Sequence, residues 1–98
     1  MSDRINVARE FAEVINSEYI LKIILFGSVA WGDDNDDSDI DILIISNYRD
    51  KIWPDISRAI ANVIIERQEL ISAHVISEKH LNEINDFTFI QNIKRKVL

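Results

Sequence analysis

The stretch LFGSVAWGDDNDDSDIDILII, Leu25–Ile45, holds six aspartates between Asp33 and Asp41 and then runs straight into apolar residues. Its two ends read as strands. Tyr19–Phe26 is apolar and β-rich apart from Lys22, and it stops at Gly27-Ser28; Asp39–Ile45 is the second run. Both have the largely apolar character of buried strands. Asp39 and Asp41 therefore stand at the entrance of a strand that expects burial. An unpaired carboxylate there is costly, and such groups protonate or find a cation.

Outward from this segment the periodicity is helical. Ile5, Ala8, Phe11, Ala12 and Ile15 recur on one face, which predicts an amphipathic helix over 4–17 with Ser2 or Asp3 as its cap. Ser28–Trp31 predicts a short helix before Gly32. Downstream, Pro54 suits a first helical turn, and Ile56, Ile60, Val63 and Ile64 give one face of a helix to about Gln68. Leu70–Ile76 reads as a third strand. Ser77 caps a short helix carrying Leu81 and Ile84. Thr88-x-x-Gln91 has the form of a capping box, with Ile90, Ile93 and Val97 behind it, and predicts a last helix. The order predicts an α/β (α+β) layer fold with a small mixed sheet of three to four strands and flanking helices.

The chain has 98 residues, and we expect a single domain over 1–98. Its hydrophobic fraction of 47% is that of an ordinary globular protein and argues against global disorder. The absence of cysteine excludes disulfides and thiolate zinc sites. The start, Met1-Ser2-Asp3-Arg4, is no secretory signal, and no apolar run is long enough for a membrane span, so a cytoplasmic location is expected.

Charge is unevenly placed. Six of the 17 acids fall in the Asp33–Asp41 segment, which has no base, and the remaining 11 acids match the 11 bases. A local excess of this kind points to cations as its counterpart and away from direct nucleic-acid binding. Lys94-Arg95-Lys96, the only basic cluster, is too short for a nucleic-acid footprint and reads as the cationic end of a helix.

On a strand, Asp39 and Asp41 project from the same face, with α-carbons about 6.6 Å apart. Two carboxylates at that spacing suit Mg²⁺, a hard cation that also takes phosphate oxygens. Gly27 lets the backbone approach a ligand closely, and a helix starting at Ser28 offers N–H groups and a hydroxyl to an anion. A phosphate cradle thus ends one strand while a metal claw begins the next. An EF-hand is excluded, because the loop that opens at Asp33 has Ser38 where glycine and Ile44 where a bidentate glutamate belong. No Gly-Lys-Ser/Thr of a phosphate-binding P-loop occurs. Asp33, Asp34, Asp36 and Asp37 read as a solvated loop. Trp31 and Trp53 read as packing or interface residues.

Gly27-Ser28, ten residues, then Asp39-Ile40-Asp41, in the context LFGSVAWG and SDIDILII, resembles the polymerase β-like nucleotidyltransferase superfamily. The length and element order are similar to its minimal nucleotidyltransferases. The resemblance implies a palm-type fold in which Gly27 and Ser28 hold the triphosphate, while Asp39 and Asp41 bind Mg²⁺ for attack on the α-phosphorus. It further implies ATP as the nucleotide and transfer of AMP to a hydroxyl of a partner protein. The partner it suggests is a HEPN-domain toxin to which this chain is the antitoxin, in a hetero-oligomer; a homodimer is the expectation for the chain alone. At this length we expect no second domain that would bring its own acceptor.

Two departures from that pattern stand out. The family often carries arginine where this chain has Trp31. The superfamily also places a third carboxylate on a later strand, and Leu70–Ile76 has none; Ser72 or His74 sits about where it belongs. His74 reads as a structural histidine, and His80 as a surface one. Without that carboxylate, nucleotide binding is expected to survive better than catalysis. The rival reading is a nucleotidyltransferase-like binding module that neutralises its partner by contact alone.

Overall fold

The structure is a computed structural model that describes residues 4–27, 29, 39–84 and 95–98. Its elements are α1 (Arg4–Ile15), β1 (Lys22–Phe26), β2 (Ile40–Ile45), α2 (Arg49–Arg67), β3 (Ile71–Ile76), α3 (Glu78–Ile84) and β4 (Arg95–Val97). The four strands form one mixed sheet in the order β3-β2-β1-β4. β1 runs antiparallel to β2 and β4, and β2 runs parallel to β3. The parallel pair needs a crossover, which α2 supplies.

Strand alternation sorts the side chains onto two faces. Leu25, Ile40, Ile42 and Ile44 are fully buried on one of them and join Val7, Ala8, Phe11 and Ala12 of α1 and Ile52, Ile56 and Ala59 of α2 in a single core. The helical spacing of α1 is what delivers that stripe. The second face carries Ile24 and Ile45, which are buried, Phe26, Asp41, Leu43, Ser72 and Ile76, which are half-buried, and His74, which is exposed. The apolar run of β2 suggested burial on both faces; the structure instead leaves one face partly open.

Among the described residues, ion pairs tie α1 to the end of α2 and to the segment just after it. Arg4 Nε lies 3.0 Å from Glu69 Oε2 in a largely buried setting, and Arg67 reaches Glu10 near the surface. α2 is capped after Arg67 by Gln68, which adopts φ 53° and donates its N–H to the Ile64 carbonyl at 3.1 Å. A left-handed non-glycine residue costs about 1–2 kcal/mol, which the cap and helix packing offset.

Several boundaries differ from the expectations. α2 begins at Arg49, five residues before Pro54, so the proline sits inside the helix. Burial of Ile52, one turn before Ile56, outweighs the backbone hydrogen bond that Pro54 cannot make. Arg49 stacks its guanidinium 4.7 Å from the Trp53 ring, which fits the packing role expected for Trp53. β1 starts at Lys22, because Ser17–Leu21 form a turn closed by the Ile20 N–H to the Ser17 carbonyl.

The largest correction is at the end of the chain. Arg95–Val97 form β4 rather than the end of a helix, pairing Phe26 with Arg95 and Ile24 with Val97. Arg95 and Lys96 are therefore strand residues, not helix-end cations. The exposed edge of β1 supplies a row of backbone partners that local capping signals do not reveal. The capping box Thr88–Gln91, Ile90, Ile93 and Lys94 lie outside the described residues. The short α3 follows the expectation: Ser77 accepts the His80 N–H at 3.0 Å.

Candidate active site

β1 and β2 pair in a register that sets Phe26 opposite Asp41. Gly27, the next residue, comes to rest against the Asp41 side chain. It has φ +75°, a conformation that side chains rarely adopt, and a Cβ built there would run into the Asp41 carboxylate. The glycine is thus required twice, by its backbone and by the room it leaves for Asp41.

The β2 ladder begins at Ile40, whose N–H donates to the Leu70 carbonyl at 2.9 Å. Asp39 lies one residue before that ladder and is exposed, while Asp41 is half-buried within it. Burial pushes the Asp41 carboxyl above its usual range; the negative charge of Asp39 adds to the shift and His74 opposes it. The two acids therefore feel each other across this end of the sheet. A pair of mutually repelling hard oxygen donors fits a divalent cation of the Mg²⁺ kind. No cluster of three or more histidine or acidic side chains with metal-binding placement occurs among the described residues. Further ligands would have to come from water or from the substrate.

On the other side of Asp41, β3 brings Ser72 into register with it. His74 is level with Leu43. Ser72 Oγ and His74 Nε2 are 3.4 Å apart, and the imidazole meets the Phe26 ring with centroids 6.2 Å apart. Phe26 and His74 belong to strands on opposite sides of β2, so their rings meet above it, beside Asp41. The sequence reads His74 as a structural histidine that alternates with Ser72 about where a third carboxylate belongs; the β2–β3 register sets which of the two is level with Asp41.

Of the expected site residues, Gly27, Asp39 and Asp41 converge on this end of the sheet. Ser28, Trp31, the rest of the predicted 28–31 helix apart from Val29, and Asp33, Asp34, Asp36 and Asp37 lie outside the described residues. Val29, two residues past Gly27, is buried in the core and anchors the chain as it leaves β1. A cavity of ≈ 600 Å³ lies at the opposite end of β1, lined by Arg9, Glu13, Asn16 and Lys22 among others. It holds neither the paired acids nor the turn glycine, and we do not assign the chemistry to it. No helix among the described residues is long and apolar enough to cross a membrane.

Comparison with known proteins bears on the fold and on the family. A crystal structure of a "putative nucleotidyltransferase" from Sulfolobus solfataricus shares the fold, with a TM-score of 0.58 over 96% of this chain and 78% of that one, at 21% identity. The Methanocaldococcus jannaschii protein named "Putative protein adenylyltransferase MJ0604" is 35% identical over 88 residues, covering 87% of this chain and 85% of that protein. Residues 8–97 match the nucleotidyltransferase domain, and the chain belongs to that family.

Proposed function

We propose that the protein binds ATP with Mg²⁺ and transfers AMP to a hydroxyl group on a partner protein. One observation carries this reading: a glycine held at positive φ against Asp41, with Asp39 beside it, in a nucleotidyltransferase-family chain. The turn at Gly27 admits the triphosphate, with Ser28 as its expected hydroxyl and N–H donor. Asp39 and Asp41 would hold Mg²⁺. When bound, the ion supplies charge neutralisation at the α-phosphoryl group and at the departing pyrophosphate. A protein acceptor is in keeping with the name of the M. jannaschii relative. A HEPN-domain partner, with this chain as its antitoxin, rests on the sequence resemblance.

Titration of ATP with and without Mg²⁺ tests the site. Tight binding is expected only with the metal, and Asp39→Asn and Asp41→Asn are each expected to weaken it. Equal affinity in both conditions would overturn the reading. Incubation with α-labelled ATP, Mg²⁺ and protein purified in complex from its native host tests the transfer, and sedimentation of the same material tests the association.

The acid-free β3 favours a second reading, a module that neutralises its partner by contact alone. It predicts partner binding that is indifferent to ATP, and no label transfer.

A further inference from the structure

Three things meet beside Asp41: a serine in register with it, a histidine two residues on, and a phenylalanine ring from the opposite strand. The imidazole is exposed, yet it is not loose. Phe26 supports one side of it, and Ser72 Oγ stands 3.4 Å from Nε2. That separation is at the long limit of a hydrogen bond, so the contact is weak and replaceable. An exposed imidazole whose nitrogen is only loosely engaged, aimed at the same sheet end as two metal-type acids, is placed to receive an incoming hydroxyl.

We propose that His74 is the general base of this site, resting on the nucleotidyl-transfer reading above. In the tautomer that leaves Nε2 without a proton, Ser72 donates weakly to it until an acceptor hydroxyl displaces the serine. The acceptor O–H bond then breaks, its proton passes to Nε2, and its oxygen forms the new bond to the α-phosphorus. The bond between that phosphorus and the pyrophosphate oxygen breaks, and pyrophosphate leaves with the electron pair. A carboxylate on β3 could both hold metal and take a proton. Imidazole does the second, while its nitrogen is a poor Mg²⁺ ligand. His74 thus makes the site self-sufficient in proton transfer, and Asp39 and Asp41 would hold the metal without a third acid from β3. Ser72 positions the ring and guards the nitrogen, so its loss is far milder than that of His74.

The test measures pyrophosphate release from ATP with Mg²⁺, with water, a tyrosine-containing peptide and native-host extract as successive hydroxyl sources. ATP affinity is measured on the same samples. His74→Ala is expected to bind ATP as the wild type does and to release pyrophosphate about 10²–10⁴-fold more slowly. Added imidazole is expected to restore part of the rate in His74→Ala and none in Asp41→Asn. Ser72→Ala is expected to stay within about tenfold of the wild type, since it removes a positioning contact and leaves the base. A His74→Ala variant with wild-type rate overturns the proposal, as does one that imidazole does not rescue. A wild type inactive with every hydroxyl source also overturns it, because a complete site needs no further base. If Asp39→Asn and Asp41→Asn bind ATP unchanged, the nucleotidyl-transfer reading itself fails; loss of binding there with an indifferent His74 sinks only the base assignment.

Discussion

The two faces of the sheet are made from the same strands and obey different rules. On the covered face, Leu25, Ile40, Ile42 and Ile44 are fully buried among α1 and α2. One residue along each strand, the other face offers Phe26, Asp41, Ser72 and His74, half-buried or exposed. A shift of one residue thus separates a position that stabilises the fold from one that holds a charge at the fold's expense. Asp41 makes the contrast plain: its flanking neighbours Ile40 and Ile42 are fully buried, while its own carboxyl is pushed upward by burial and by Asp39.

The contrast breaks most visibly at Ile42. Ile42→Ala should cost about 2–5 kcal/mol, read from denaturant unfolding, because a fully buried side chain leaves a cavity. If the loss is no larger than that of an exposed residue, the core is not where the structure places it.

Gly27→Ala joins the two effects. It should cost about 1–2 kcal/mol for the left-handed conformation alone, and it should also displace the Asp41 carboxylate and abolish Mg²⁺-dependent ATP binding. Retained ATP affinity in this variant would show that the close approach of Gly27 to Asp41 is irrelevant to the site.

Asp41→Asn should move the other way in stability. A carboxyl whose folded pKa is raised contributes its full stabilisation below its unfolded value, and that contribution is lost as pH rises through the folded value. At neutral pH the ionised Asp41 is therefore destabilising. The asparagine variant should melt higher at pH 7, and the gain should vanish near pH 3, where the wild type is also protonated; ATP binding should fall throughout. A lower melting temperature at pH 7 would make Asp41 a structural residue.

The smallest effect belongs to the outer surface. Glu10→Ala removes a partly exposed ion pair with Arg67 and should change stability by about 0–1 kcal/mol, less in high salt, with no effect on ATP binding. A loss comparable to that of Ile42→Ala would show that the α1–α2 seam depends on charge rather than on packing.

Local chemistry in the chain determined the helical stripe of α1, the strand character around Leu25 and Ile42, the cap at Ser77, and the clustering of Gly27, Asp39 and Asp41 in one short segment. Those features depend on period, on turn residues and on spacing, all of which are read along the chain. Tertiary packing alone decided that α2 would run through Pro54, because the benefit of burying Ile52 comes from the core and not from the helix itself. It also decided that Arg95–Val97 would be a strand, since the partner that selects it is the β1 edge, about 70 residues earlier. His74 is divided between the two: the resemblance put Ser72 or His74 about where a third carboxylate belongs, while the parallel register of β2 with β3, and Phe26 reaching over from β1, decided that the imidazole lies by Asp41. Contacts between residues distant in sequence arise from which strands pair and in what register, and that choice is made by the whole core at once.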